Sequence, residues 1–307
     1  MLELAPFNWL AAFFVGILLE IAIGDPRRWH PLAGFGRLAD GLQLRLNQGR
    51  GRFWRGLAAW LILLGGGLVL FAVLERWLGL WAHAFALWFA LGARSLREHV
   101  LAIIDPLAKS DLQGARHAVS RIVSRDCSTL DEAGVSRAAI ESTLENGADA
   151  IFATLFWFAL LGGWGAILHR LANTLDAMWG YRTPEFEQFG KTAARLDDAL
   201  NYLPARLSAL SYALLGSTKT ALACWQTQAP LWDSPNAGPA MAAGAGALGV
   251  QLGGVARYHG RDETRPVLGT GPQPGAADVR RGLLLVTRSF GIWLAVLLVI
   301  GIGRCMT

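Results

Sequence analysis

Residues 121–157 read RIVSRDCSTLDEAGVSRAAIESTLENGADAIFATLFW, a polar helical pattern that runs directly into a strongly apolar one. Within it, Arg137, Glu141, Glu145 and Asp149 recur at every fourth position. Residues four apart lie on nearly one face of a helix, so the three carboxylates would repel one another. Ionisable groups beside such an apolar segment are costly unless they bind something polar. The stretch therefore predicts an active site at a membrane surface, with a solvated helix face as the alternative.

The composition is typical of a membrane protein. Apolar residues make up 53% of the 307 residues, charged residues only 17%, and the mean hydropathy is +0.35. The net charge of +5 indicates anionic lipid, positive-inside topology or phosphate-bearing ligands. No nucleic-acid-binding motif accompanies this charge, so nucleic acid is not an expected partner. The three cysteines lie far apart in the sequence, which predicts neither a disulfide framework nor a zinc knuckle.

The apolar segments predict an all-α fold, a polytopic helical membrane protein with polar helices on the cytoplasmic side. We expect about four to six spanning or re-entrant helices. One domain would cover residues 1–307, with membrane helices in 1–93, a polar and re-entrant catalytic region in 94–282 and a last membrane helix in 283–303. A weaker segment, Ala205–Trp225, suits an interfacial or re-entrant helix because Arg206 and Lys219 interrupt it. The stronger candidates are Phe7–Ile23, Trp54–Leu74, Trp77–Ala93, Ala150–Leu168 and Leu283–Gly303.

Basic residues predict the orientation of these helices. The loop between the first two segments is rich in arginine, which places it in the cytoplasm and the N-terminus outside. A full crossing by Ala150–Leu168 would then separate the polar motifs on its two sides. We therefore expect that Ala150–Leu168 dips into the membrane without crossing it, or that its polar flanks face a shared cavity.

A second polar cluster lies in FGKTAARLDDALNYLPARL, residues 189–207. Arg195 suits a bidentate contact with a carboxylate or phosphate. Asp197 and Asp198 could bind a metal or orient a base. The alternative is an internal arginine–aspartate pair that holds two helices together.

Two further motifs carry candidate residues. In residues 233–254, DSPNAGPAMAAGAGALGVQLGG, a turn with a capping residue precedes a helix rich in Gly and Ala, whose start suits an anion. Gly249 and Gly253 would form a small-residue face on that helix. The alternative to a binding role for this face is close packing against another helix. In GDPRRWHPLAGFGRL, residues 24–38, His30 could bind a ligand or shuttle protons, or it could be structural.

The chain resembles the CobD/CbiB family. The resemblance rests on the motifs above taken together, on NTLDAMWGYR at residues 173–182, and on the pair SPNAG and GALGVQLGG. That family comprises cobalamin biosynthesis proteins, the adenosylcobinamide-phosphate synthases, and the resemblance runs nearly end to end. It implies a multi-pass enzyme of the bacterial inner membrane with its active site facing the cytoplasm. The implied reaction is an ATP-consuming amide ligation of aminopropanol, or aminopropanol phosphate, to a propionate carboxyl of adenosylcobyric acid. Implied cofactors are ATP and magnesium, and implied partners are these substrates, the lipid bilayer and other late corrinoid-pathway membrane enzymes.

The resemblance also suggests roles for motif residues. Our hypothesis is that Glu141, Glu145 and Asp149 hold magnesium and belong to the catalytic set. Asp197 or Asp198 would be the general base, and Arg182 and Arg195 would engage phosphate or propionate. Substrate- or phosphate-binding positions would further include Asn146, Asn173, Asp176, Asn201, Ser234, Asn236 and His30.

Two departures from the family pattern stand out. Gly147-Ala148 occupies the place where Thr-Ser is expected, and Pro239-Ala240-Met241 the place of Trp-Pro-Glu. Two other functions remain as alternatives, an AmpE-like non-catalytic membrane sensor or regulator and a corrinoid transporter. A sensor need not keep both the ARLDD and SPNAG clusters, and a transporter would be expected to show internal repeats.

Overall fold

The structure, a computed structural model, describes residues 5–24, 31–258 and 260–306. His30 therefore lies outside the described residues. Within the described ranges, the chain forms two β-strands, β1 (Gln251–Tyr258) and β2 (Arg261–Gly269), and thirteen α-helices. The helices are α1 (Pro6–Ala22), α2 (Pro31–Leu46), α3 (Arg52–Leu78), α4 (Leu80–Ala90), α5 (Ala93–Ala108), α6 (Leu112–Val119), α7 (Glu132–Asn146), α8 (Thr154–Leu161), α9 (Gly163–Trp179), α10 (Lys191–Leu215), α11 (Thr218–Gln228), α12 (Ala237–Leu248) and α13 (Ala276–Met306).

The helical fold confirms the predicted class, a helical membrane protein. Among the described residues, three helical segments are long and apolar enough to cross a membrane: Arg52–Leu78, Glu132–Leu161 and Ala276–Met306. The segment Pro6–Ala22 is a shorter apolar helix. The prediction of one helix over Trp77–Ala93 is wrong. Gly79 adopts a positive φ of 55°, and the 11-residue α4 that follows is too short to cross.

The chain forms two compact units. The first contains residues 1–92, 153–201 and 296–307, and the second contains residues 93–152 and 202–295. The single domain over residues 1–307, with its three predicted regions, stays a prediction.

In the first unit, α9 packs its apolar face against α3. Leu171, Leu175 and Trp179 of α9 are buried in one cluster with Trp60 and Leu63 of α3. Burial of such large side chains contributes about 1.5–3 kcal/mol each. This packing fixes the polar face of α9, which carries Asn173 and Asp176.

The chain reverses direction at Gly162, within the predicted segment Ala150–Leu168. Gly162 has a φ of 60° and separates α8 from α9. A Cβ on Gly165 would lie only 2.1 Å from the carbonyl oxygen of Trp157, eight residues earlier. In a continuous helix, eight residues span about 12 Å. Residues 163–179 therefore run back along α8, and the dip of this segment without a crossing stays a prediction.

The loop that follows α9 lies against the basic first loop. Asn47 donates from Nδ2 to the carbonyl oxygen of Glu185 at 3.0 Å, and Gln43 from Nε2 to Glu185 Oε1 at 2.9 Å. Arg52 reaches the carbonyl oxygens of Pro184 and Glu185 at 3.4 Å. The loop after NTLDAMWGYR is thus on the same side of this unit as the loop predicted to be cytoplasmic.

In the second unit, every residue of α12 is buried. Its small side chains permit close approach, since a Cβ on Gly244 would meet Leu144 at 2.5 Å and one on Gly246 would meet Ala221 at 2.8 Å. The helix ends at Leu248, with Gly249 in the left-handed conformation as its C-cap. The Gly249/Gly253 helix face predicted from sequence is therefore wrong.

Beyond that helix, β1 and β2 form an antiparallel hairpin that the sequence reading missed. A bulge at Gly253 and Gly254 interrupts the pairing, and both residues have positive φ angles of 77° and 75°. The bulge turns the Gly253 N–H out of the ladder and towards α7.

Candidate active site

In the second unit, the carboxylate of Glu141 on α7 is the centre of a buried ion cluster. Glu141 is only 2% exposed. Its Oε2 accepts a hydrogen bond from Arg125 Nη2 and another, at 3.0 Å, from Arg265 Nη1. Its Oε1 accepts from Arg265 Nη2 at 3.2 Å and from the Gly253 N–H at 2.7 Å. One buried carboxylate thus serves two guanidinium groups, so Glu141 alone does not balance their charge.

This cluster forms one wall of a cavity of about 260 Å³. Glu145 is partly buried in the lining, and Asn146 donates from Nδ2 to Ser142 Oγ at 2.9 Å. The Arg265 guanidinium lies 5.4 Å from the centre of the Trp232 ring, so an aromatic face borders the charged one. The cavity is lined by Ile122, Val123, Ser124, Arg125, Glu141, Ser142, Glu145, Asn146, Trp232, Met241, Tyr258 and Arg265.

The predicted magnesium site does not form from Glu141, Glu145 and Asp149. Within the described ranges, no group of three or more His, Cys, Asp or Glu side chains is arranged to hold a metal ion. Both oxygens of Glu141 accept from positively charged or amide donors, which a cation would have to displace. A π-helical turn over Gly147–Ala153 also takes Asp149 out of the four-residue spacing of the sequence. Glu141 is an arginine-binding carboxylate instead of a metal ligand.

Sequence reasoning named Glu141, Glu145 and Asn146 here but missed Arg125, Arg265 and the Gly253 amide. Arg265 is 124 residues from Glu141, so no local spacing connects them. Arg125 lies inside the quoted stretch, and its position before the helix was an available signal.

In the first unit, a second cluster gathers the polar residues of α9 and the start of α10. Asp197 is 7% exposed and accepts hydrogen bonds from Asn201 Nδ2 at 2.9 Å and from Asn173 Nδ2 at 3.4 Å. Asp176 and Asp198 are close enough to act electrostatically on Asp197. The structure thus brings together five of the predicted residues, Asn173, Asp176, Asp197, Asp198 and Asn201.

His169, which the sequence reading did not single out, extends this cluster. Its Nε2 lies 2.9 Å from Asn201 Oδ1, and its Nδ1 lies 3.5 Å from Thr154 Oγ1. Burial lowers the pKa of His169 to about 4, so the ring is neutral at pH 7. Because the amide nitrogen of Asn201 donates to Asp197, its oxygen faces His169, which assigns the ring proton to Nε2.

Burial and mutual repulsion raise the pKa values of these aspartates. The pKa of Asp197 rises to about 7, first because it is buried and second because of the charge of Asp176. The pKa of Asp176 rises to about 6, through burial and the charge of Asp198. Burial also raises the pKa of Asp198, against the opposing effect of the Arg182 charge. A carboxyl group that titrates near neutral pH suits proton transfer.

Two predicted arginines lie at the exposed margin of this unit. Arg182 is exposed, and its charge acts on Asp198. Arg195 is also exposed, whereas Asp197 and Asn201 on the same helix are buried. Arg195 therefore does not form the suggested internal arginine–aspartate pair with the buried Asp197.

Ser234 forms a local cap before α12 in the second unit, and Asn236 lies beside it. Ser234 Oγ accepts from the N–H groups of Asn236 and Ala237 at 3.3 and 3.1 Å, which confirms the predicted capping turn. Asn236 Oδ1 accepts from Arg206 Nη1 at 3.1 Å, and the Arg206 guanidinium stacks on Tyr202. Since Ser234 takes these first amides, they do not point at an external anion.

Comparison with known proteins decides the family. The family described as CobD/Cbib protein matches residues 13–286. The chain belongs to the CobD/CbiB family. This membership supports a role in cobalamin biosynthesis.

Several curated relatives named Cobalamin biosynthesis protein CobD cover most of the chain. The protein of Stutzerimonas stutzeri is 56% identical over 92% of this chain and 94% of its own length. Those of Chromobacterium violaceum and Mycobacterium tuberculosis strain CDC 1551 / Oshkosh are 52% and 42% identical, over 92% and 93% of this chain and 93% and 94% of their own lengths. No solved structure matches the chain.

The structure gives a physical reason for one departure from the expected family pattern. A Cβ on Gly147 would lie 2.7 Å from the Tyr212 hydroxyl and 3.1 Å from Val286, so a threonine does not fit this packing. Met241, where glutamate is expected, lines the cavity beside Glu141 and Glu145. The cavity therefore carries an apolar thioether at that position.

Proposed function

We propose that this CobD/CbiB protein is an adenosylcobinamide-phosphate synthase, a ligase that forms a carbon–nitrogen bond. It joins aminopropanol or aminopropanol phosphate to a propionate carboxyl of adenosylcobyric acid and gives adenosylcobinamide or its phosphate. Family membership supports the pathway. The observation that carries the reaction type is the buried Asp197, a carboxyl group whose pKa of about 7 fits a general base.

The chemistry requires an activated carboxyl group, because a free carboxylate is a poor acyl donor. ATP supplies the phosphoryl group that turns the propionate into an acyl phosphate. The amine nitrogen then attacks the acyl carbon, the carbon–nitrogen bond forms, and phosphate leaves with one oxygen of the original carboxylate. The nucleophile arrives as an ammonium ion, so a base must take its proton before or during the attack.

We assign the role of this base to Asp197, with Asn201 and His169 as positioning residues. The Asn201 amide holds one oxygen of Asp197 at 2.9 Å, and neutral His169 fixes the orientation of that amide through its own oxygen. The second oxygen of Asp197 receives only a long contact of 3.4 Å from Asn173. It is therefore the oxygen that is better placed to accept a proton.

The arginine cluster of the second unit suits an anionic group of a substrate. Glu141 holds Arg125 and Arg265 in place, and both line the cavity. Because Arg265 already donates from Nε, Nη1 and Nη2 to Glu141 and to the Gly253 and Gly254 carbonyls, the two guanidinium groups would attract a phosphate or carboxylate through their charge. Magnesium belongs to the proposal as the counter-ion of ATP, a role in which phosphate and water provide most of the ligands.

The proposal places the enzyme in the bacterial inner membrane with its substrates reaching it from the cytoplasm. The arginine-rich stretch between the first two apolar segments supports this orientation. The hydrogen bonds from Gln43 and Asn47 to Glu185 keep the loop after α9 on the same side.

A product assay with a matched pair of variants tests the proposal. Detergent-purified protein is incubated with adenosylcobyric acid, aminopropanol phosphate and magnesium-ATP, and the amide product is measured by mass. We expect Asp197→Asn to reduce the rate at least about 100-fold, the usual loss for a general base. Glu187→Gln, an exposed carboxylate of the same unit, should retain the wild-type rate.

Two outcomes would contradict the proposal. The first is a wild-type rate in Asp197→Asn, which would show that Asp197 is not the general base. The second is flux of corrinoid across vesicles without ATP hydrolysis or product, which would identify a transporter.

A further inference from the structure

A second cavity, of about 190 Å³, opens at the start of α13 in the second unit. Arg281 and Arg288 lie seven residues apart, with Leu284 and Leu285 between them, so all four share one face of the helix. The cavity thus has a basic group at each end and an apolar floor. The remaining wall is apolar and includes Leu215 and Leu248.

Arg281 is held in a fixed position at one end. It donates from Nη1 to Asp278 Oδ1 and from Nη2 to the carbonyl oxygen of Leu248, both at 2.6 Å. The second bond caps the C-terminal end of α12, so Arg281 has a structural role there. Asp278 also accepts from the Gly275 N–H through Oδ2.

Arg288 at the other end has no such structural role. Its side chain is exposed, and it makes no hydrogen bond or ion pair with any residue in the described ranges 5–24, 31–258 and 260–306. It is nevertheless part of a helical segment apolar enough to cross a membrane. An arginine in such a segment is costly unless it reaches an anion or the headgroup region.

We propose that this cavity binds the phosphate of an anionic phospholipid. The phosphate lies between Arg281 and Arg288, and the acyl chains follow the apolar side chains below them. Leu284 and Ile292 of α13 and Leu214 of α10 are exposed to 45%, 37% and 61%, which offers the apolar surface that the chains require. Basic pockets between membrane helices bind anionic headgroups by this combination of contacts. The site is independent of the proposed amide ligation.

Native mass spectrometry of the detergent-solubilised full chain tests this site. The protein is titrated with phosphatidylglycerol and, separately, with phosphatidylcholine. We expect preferential retention of phosphatidylglycerol, and an affinity about fivefold weaker in Arg288→Gln, the effect of one basic group near a headgroup. Arg280→Gln is the matched control, since Arg280 is an exposed arginine on the same helix that does not line the cavity.

Three results would overturn the proposal. Equal retention of the two lipids would exclude recognition of the anionic headgroup. Equal losses in Arg288→Gln and Arg280→Gln would indicate general surface charge. Displacement of the lipid by equimolar glycerol phosphate would show that the cavity binds a soluble phosphate ester.

Discussion

Glu141 is the shared counter-charge of two guanidinium groups, the buried Arg125 and the partly buried Arg265, so its charge is part of the stability of the second unit. Glu141→Gln keeps an acceptor for the Gly253 N–H but leaves Arg125 and Arg265 without their counter-charge. Breaking a buried pair in this way costs about 3 kcal/mol. We expect a lower Tm in detergent, measured by the fluorescence of the tryptophans. Glu263→Gln on β2, an exposed carboxylate, should leave the Tm unchanged, and equal Tm values for the two variants would show that the ion cluster is not structural.

The pKa of Asp197 is raised first by burial and second by the charge of Asp176, so removal of Asp176 should change the pH dependence. Asp197 binds its proton up to about pH 7 in the folded state, against an ordinary value of 3.8. Because the folded state holds more protons than the unfolded state between these values, stability falls as pH rises through this window. Activity that needs the ionised base should rise through the same window.

Asp176→Asn removes the second-largest cause of the raised pKa of Asp197. We therefore expect the acid limb of the kcat/KM profile to move to lower pH, and the fall in Tm between pH 5 and pH 8 to become smaller. Glu187→Gln should leave both curves in place. An unshifted acid limb in Asp176→Asn would assign the titration to another group.

At the residue level, the sequence predicted Asp197, Asp198 and Asn201 because their spacing on one helix is local. It also placed Glu141 and Glu145 beside one another. It could not predict Arg265 or the Gly253 amide as partners of Glu141, since those contacts depend on a distant hairpin. His169 was hidden because a single histidine in an apolar segment carries no distinctive spacing.

The turn between α8 and α9 reverses the direction of the chain, so that α9 runs back along α8. Gly165→Ala should destabilise it, because the new Cβ would lie 2.1 Å from the Trp157 carbonyl oxygen, a backbone atom that cannot move aside. Overpacking of this kind costs about 1–3 kcal/mol. The loss should appear as a lower Tm of the purified protein.

Gly66→Ala in α3 is the matched control. A Cβ there meets nothing within 4 Å, and alanine favours a helix over glycine by about 1 kcal/mol. We expect its Tm to equal or exceed that of the wild type. If Gly165→Ala were as stable as Gly66→Ala, the tight hairpin of α8 and α9 would be wrong.

At the level of elements, long uncharged runs were predicted well, as α3 and the apolar part of α13 show. Breaks were predicted poorly. Gly79 and Gly162 interrupt apolar runs at positive φ angles, and hydropathy does not register such a turn. The hairpin of β1 and β2 was missed because a Gly- and Ala-rich pattern was extended past Gly249.

For the whole molecule, cysteine labelling tests whether the loop before α3 and the loop after α9 lie on the same side of the membrane. In a Cys305→Ser background, which removes the exposed native cysteine among the described residues, Gln48→Cys and Glu187→Cys each introduce one exposed thiol. We expect a membrane-impermeant maleimide to label both in inverted vesicles and neither in spheroplasts. Opposite labelling of the two positions would mean that the segment from α8 to α9 crosses the membrane.

The most direct test of the central claim follows the carboxylate oxygen of the substrate. Adenosylcobyric acid labelled with ¹⁸O in its propionate carboxyl is incubated with the enzyme, aminopropanol phosphate and magnesium-ATP. The ¹⁸O content of the released phosphate is then measured by mass spectrometry. Amide ligation through an acyl phosphate predicts one ¹⁸O atom in the phosphate for each amide formed. Amide product accompanied by unlabelled phosphate, or hydrolysis of ATP without amide product, would contradict it.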